Sequence, residues 1–222
     1  MNRTFHRIAL ASLATATFAA MSLPTSGASG THAALASSNH AAVRFPLVRS
    51  AGAVKANCLP HARGVVRVTP GPLNDLMQVA VAGLPPETDF DLFVIQLPNA
   101  PFGVAWYQSD LHTDDEGDGY VQVRGIFDVE TFSLSLGGPS NGEVATQNVT
   151  GTAVTDTNVV FRPTHQYHLG LWFNSPDDAA KAGCPAAVTP FNGEQHAGIQ
   201  ALTTQSLSPA DPGLGPLSQV HR

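Results

Sequence analysis

Tyr167-His168-Leu169-Gly170-Leu171-Trp172-Phe173 places Tyr, Leu, Leu and Phe at every second position. That period belongs to a strand with one buried face, because successive side chains point to opposite sides of the pleat. Working outward, the same period recurs. Val66 and Val68 flank Arg67, and Met77, Val79 and Val81 form a second inward row. Phe132, Leu134 and Leu136 form a third, with Ser133 and Ser135 outward. Short alternating runs broken by Pro, Gly and Asn-Gly predict an all-β antiparallel β-sandwich. One run departs from alternation: from Phe90 to Leu97 both alternate sets are apolar. That pattern predicts a central strand covered on both faces, by a loop or by the helix.

One short helix is spelled out. Ser175-Pro176-Asp177-Asp178 supplies an N-cap, a proline at the first helical position and two acids on the positive dipole end. Ala179 to Ala182 propagate the helix, and Gly183 stops it just before Cys184. No internal repeat is evident.

Leu84-Pro85-Pro86-Glu87-Thr88-Asp89-Phe90-Asp91-Leu92-Phe93-Val94 resembles the segment of fibronectin type III modules in which a Leu-Pro-turn-Thr-x-Tyr pattern enters a central strand. Phe90 stands at that family's Tyr, and the early core Trp has no counterpart, the tryptophans being Trp106 and Trp172. The resemblance implies a sandwich of the fibronectin or immunoglobulin-like kind and carries nothing about function.

The ends read differently. Arg3, His6 and Arg7 precede an apolar, acid-free run from Ile8 to Met21, then Pro24 and the small residues Ser26-Gly27-Ala28. This is the pattern of a cleavable signal peptide over 1–28, with an apolar run too short for the roughly 20 residues that span a bilayer. Residues 29–57 read as an Ala/Ser-rich spacer holding a short ordered piece at Val43 to Val48. Residues 58–204 read as the sandwich domain, and 205–222, rich in Pro and Gly, as a disordered tail. Loss of Arg3 and Arg7 with the leader would take the net charge from −6 to −8. With no basic stripe along the chain, nucleic acid is excluded as partner. Cys58 and Cys184 are the only cysteines, and in an exported chain such a pair predicts a disulfide.

Candidate chemistry is sparse. Asp114, Glu116 and Asp118 followed by Gly119 mimic the start of a calcium loop, yet position 125, where the closing acid belongs, is Gly. An acidic hairpin turn accounts for the same residues, so calcium is the one cofactor left open. If the flanking strands pair as a hairpin, Ala105, Tyr107, Ser109 and Leu111 face the core. Trp106, Gln108, Asp110 and His112 then share the other face with Tyr120, Gln122 and Arg124. Aromatic and hydrogen-bonding groups together suit a sugar ring, which makes polysaccharide or a cell-envelope component the candidate partner. His165 and His168 are three apart in one strand and point to opposite faces, so no histidine metal site is expected. No nucleophile elbow, zinc-protease or phosphate-loop motif occurs. Asn148-Val149-Thr150 is a glycosylation sequon. The expectation is a secreted, extracellular, non-catalytic binding or surface-presenting protein without a membrane span. The alternative is a secreted hydrolase with a carboxylate pair assembled only by the fold.

Overall fold

The computed structural model describes residues 41–136, 161–189 and 196–221. The signal peptide, the first part of the spacer and the sequon lie outside them. Chain order is β1 (Val43–Arg49), α1 (Ala51–Lys55), β2 (Arg63–Thr69), β3 (Asp75–Ala82), β4 (Asp89–Ile95), β5 (Ala105–His112) and β6 (Gly119–Gly125). There follow β7 (Phe132–Leu136), β8 (Phe161–His165), β9 (His168–Phe173), α2 (Pro176–Lys181), β10 (Gln200–Thr203) and a 3-10 turn (Pro216–Gln219).

Eight strands form one antiparallel sheet in the order β5-β4-β9-β10-β1-β2-β3-β6, and β7 and β8 pair apart from it. The sheet is two four-stranded halves joined at a narrow seam, since β1 meets β10 only through Val48↔Thr203 and Arg49↔Leu202. Its outer edges, β5 and β6, are consecutive in the chain and touch through the bridge Thr113↔Gly119. The halves therefore fold over one another as a sandwich. Phe45, Leu47, Val66, Val68, Met77, Val79 and Val81 from one half share a core with Phe90, Leu92, Val94, Leu169, Leu171 and Phe173 from the other.

The period-two rows of β3 and β9 are buried as expected. The doubly apolar β4 lies between β5 and β9, and a second small cluster of Phe93, Ile95, Ala105, Trp172 and Ala197 covers its outer face, with Phe102 packed on it. Gly170 permits this cover: a Cβ there would stand 2.2 Å from the Trp172 ring, which lies across it. Cys58 and Cys184 are bonded, with Cα atoms 5.4 Å apart, inside the range a disulfide tolerates.

Several expectations are corrected. The spacer does not reach residue 57, because β1 belongs to the sheet, α1 follows it, and the two bury Phe45, Leu47 and Ala53. Pro46 sits where β1 pairs with β2 alone, so its missing N–H breaks no second ladder. The tail is ordered to residue 221, with Leu217 and Val220 fully buried. Its anchor is His168, whose Nε2–H donates to the Pro212 carbonyl at 2.9 Å while Nδ1 accepts from the Thr204 hydroxyl at 2.9 Å. Burial pushes the His168 pKa down to about 4. Phe132 does not join the core, since β7 lies off the main sheet and Phe132 is exposed. Among the described residues two short α-helices are present where one was expected.

Candidate functional site

The expected hairpin face is divided by the fold. β5 pairs along its length with β4, and β6 with β3, so the two strands meet only at their shared turn. A bulge divides β5 further. Leu92 is opposite Ser109 and Phe93 is opposite Tyr107, which leaves Gln108 as the extra residue and reverses the facing of everything before it. Asp110 and His112 therefore lie on the outer face with Tyr107. Trp106 stands opposite Val94 on the core side of the sheet, at its open edge. Tyr120, Gln122 and Arg124 lie on the outer face of the other half, opposite Ala80, Gln78 and Leu76.

Trp106 is 61% exposed and Tyr107 49%. The turn at 97–103, closed by Leu97 N–H to Phe102 O at 3.0 Å, sends Phe102 against Trp172 instead of over Trp106. Edge-to-face contacts run from Trp172 through Phe93 to Tyr107, so the exposed phenol ends a packed aromatic row. Tyr107 donates to Asp110 Oδ1 at 2.8 Å. Partial burial, that bond and the nearby charges of Asp110 and Asp91 push its pKa up to about 12.

Register also assembles something that sequence reading did not place. Asp91 and Asp110 are directly opposite across β4 and β5, with Trp172 beside Asp91 on β9. Asp91 is buried, whereas Asp110 is exposed. Each acid stands in an ordinary strand context, and only the bulge-shifted register would have paired them.

The acidic turn works as a turn. Asp114 Oδ1 accepts the N–H groups of Glu116 at 3.1 Å and Asp118 at 2.8 Å. Gly117 adopts φ 80° and its backbone pairs with Leu84, docking the turn on the neighbouring loop. The carboxylates that converge within 4.8 Å are Asp114, Asp115 and Glu116, all exposed, so the alternate set with Asp118 is not the one assembled. A hydrogen bond shared with the Asp115 carboxylate is the main cause that raises the Glu116 pKa.

His165 ends β8 and His168 begins β9, so they separate by belonging to different strands. His165 stacks on Tyr167, and burial lowers its pKa. His112 holds Asp89 at 2.7 Å, and that bond raises its pKa. No protein-family model, curated protein or solved structure matches this chain. What it does must be argued from these surfaces.

Proposed function

We propose that this is an exported, non-catalytic β-sandwich that acts by binding, or by presenting a surface, at or outside the cell. The observation that carries this reading is the exposure of Trp106 on an edge strand. Burying an aromatic side chain is worth on the order of 2–3 kcal/mol. A tryptophan left in water at a strand edge is therefore a natural contact for a sugar ring or another envelope component. The disulfide fits an oxidising compartment, and among the described residues no helix is long and apolar enough to cross a membrane. Trp106→Ala should leave the unfolding free energy within about 0.5 kcal/mol of wild type. It should also weaken retention on a polysaccharide or envelope fraction. Equal retention of the variant and a clearly retained wild type would sink this reading.

The opposed Asp91 and Asp110 favour a second reading, a hydrolase whose carboxylate pair exists only in the folded chain. Residues directly opposite across an antiparallel pair have Cβ atoms about 5 Å apart, near the separation retaining glycosidases use between carboxyls. Turnover of chromogenic glycosides that Asp110→Asn abolishes would establish it. A wild-type protein inactive on such a panel leaves binding as the function.

A further inference from the structure

The half formed by β1, β2, β3 and β6 turns a different face to solvent. Register aligns Arg44 with Arg67, Arg67 with Gln78, and Gln78 with Gln122. The result is one row across four strands, roughly 14 Å long at the usual strand spacing. Arg124 stands two residues along β6 on one side of this row, and Tyr120 two residues along on the other. Arg44, Arg67, Tyr120, Gln122 and Arg124 are all exposed.

Two features of this row lack a structural purpose within the fold. Arg44 and Arg67 are directly opposite, an arrangement that like charges make unfavourable. Among the described residues no carboxylate pairs with Arg44, Arg67 or Arg124, and no outward position on these strands is acidic. The amides of Gln78 and Gln122 both donate to the Tyr120 hydroxyl, at 2.8 and 2.5 Å. That hydroxyl is thereby held in place with its own proton free to donate outward. Arg67 Nη1 reaches Gln78 Oε1 at 3.4 Å, continuing the chain of contacts.

We propose that this face binds a carboxylated polysaccharide, with Arg44, Arg67 and Arg124 taking carboxylates and Tyr120, Gln78 and Gln122 taking hydroxyls and a sugar face. Charge complementarity selects an anionic occupant, because planar guanidinium groups match carboxylates bidentately. The interleaving of guanidinium, amide and phenol groups selects the polymer. In a uronic-acid chain the charges are separated by hydroxyl-bearing ring atoms, so each kind of side chain has a counterpart. Duplex nucleic acid or a sulfated polymer carries denser charge and would meet a protein whose net charge is −8 once the leader is lost. This face is distinct from the Trp106 edge, so the two proposals can fail separately.

The test is binding of the full exported chain to polygalacturonate. Its methyl ester serves as the uncharged control, and heparin, single-stranded DNA and anionic lipid vesicles serve as competitors. Wild type should bind polygalacturonate more tightly than the ester, and added salt should weaken it. The double variant Arg44→Gln/Arg67→Gln should lose about tenfold or more in affinity. Its thermal midpoint should not fall, since a like-charge pair is removed. Equal affinity for the ester, no wild-type binding, undiminished binding by a folded double variant, or preference for any competitor would overturn the proposal.

Discussion

α1 and α2 are one device built twice from different residues. Each starts at a serine whose hydroxyl accepts a backbone N–H three residues on, Ala53 for Ser50 and Asp178 for Ser175. Each passes a lysine and an alanine, then ends on a left-handed residue immediately before a cysteine, Asn57 at φ 55° and Gly183 at φ 73°. The cysteine N–H returns to the carbonyl five residues back, Cys58 to Ala53 at 3.0 Å and Cys184 to Ala179 at 2.9 Å. Both ends are the same C-terminal cap, and the disulfide ties one to the other. Their beginnings differ. Ser175 donates to the Asp178 carboxylate, a cap completed within the helix itself. Ser50 is buried and donates to the Gln200 carbonyl 150 residues away. One helix is started by its own residues, the other by the strand beside it. A helix of this length needs an outside hold in either case, since propensity alone does not sustain it.

The largest test of the likeness is the shared bond. Cys58→Ser and Cys184→Ser should each cost about 5 kcal/mol by the chain-entropy argument. Denaturant unfolding should give nearly equal losses, and clearly unequal ones would mean that the two hooks contribute beyond the bond.

Acid should separate the ends. The folded pKa of His168, about 4, lies below its ordinary 6.5, so the folded state binds fewer protons between those values. The contribution is fully present above pH 6.5 and is lost as pH falls toward 4, to a total of about 3 kcal/mol. The loss should fall on the C-terminal end, where His168 holds Pro212, and spare the N-terminal hook. Comparing wild type with His168→Gln at pH 7.5 and 4.5 isolates it from His112, whose raised pKa acts in the opposite sense. Amide exchange at Leu217 and Val220 should accelerate before exchange at Ala53. Simultaneous acceleration would show that the ends open together.

The two serines come next. Ser50→Ala should cost about 2 kcal/mol, because it removes a cap and leaves a buried carbonyl without its partner. Ser175→Ala should cost about 1 kcal/mol, the ordinary value of a cap. Equal losses in thermal unfolding would contradict the distinction between a tertiary start and a local one. The smallest effect belongs to the C-caps. A Cβ at Gly183 meets nothing within 4 Å, so Gly183→Ala should cost only the left-handed backbone term, about 1 kcal/mol. Asn57→Gly should gain a fraction of that.

The same contrast explains what was legible in the sequence. Met77, Val79 and Val81, the doubly apolar β4 and the α2 caps announce themselves through neighbours in the chain. α1 does not, because Ser50 is completed by Gln200, and its likeness to α2 hides behind different first turns. The C-terminal tail carries too little apolar period to predict its docking, which depends on His168 and on the buried side chains of Leu217 and Val220. At the candidate sites the residues were visible but their grouping was not. A bulge at Gln108 has no signature of its own, and the acidic turn reads as a simple hairpin even though its strands part to different neighbours. The row of Arg44, Arg67, Gln78 and Gln122 draws on four strands, so no window of sequence contains it.

The position of the disulfide also sets how the molecule would carry a mechanical load. Strands β2 to β9 all lie between Cys58 and Cys184, inside a covalent ring. Tension on the two ends of the chain would pass from Cys58 to Cys184 through sulfur and bypass those strands. The load would fall on β1, β10 and the docked tail. Because β1 and β10 are antiparallel, the chain leaves both at the same end of their two-pair seam, Val48↔Thr203 and Arg49↔Leu202. Pulling would therefore peel the seam pair by pair instead of shearing it, and extension would stop at the sulfur bridge with the ring of strands still folded.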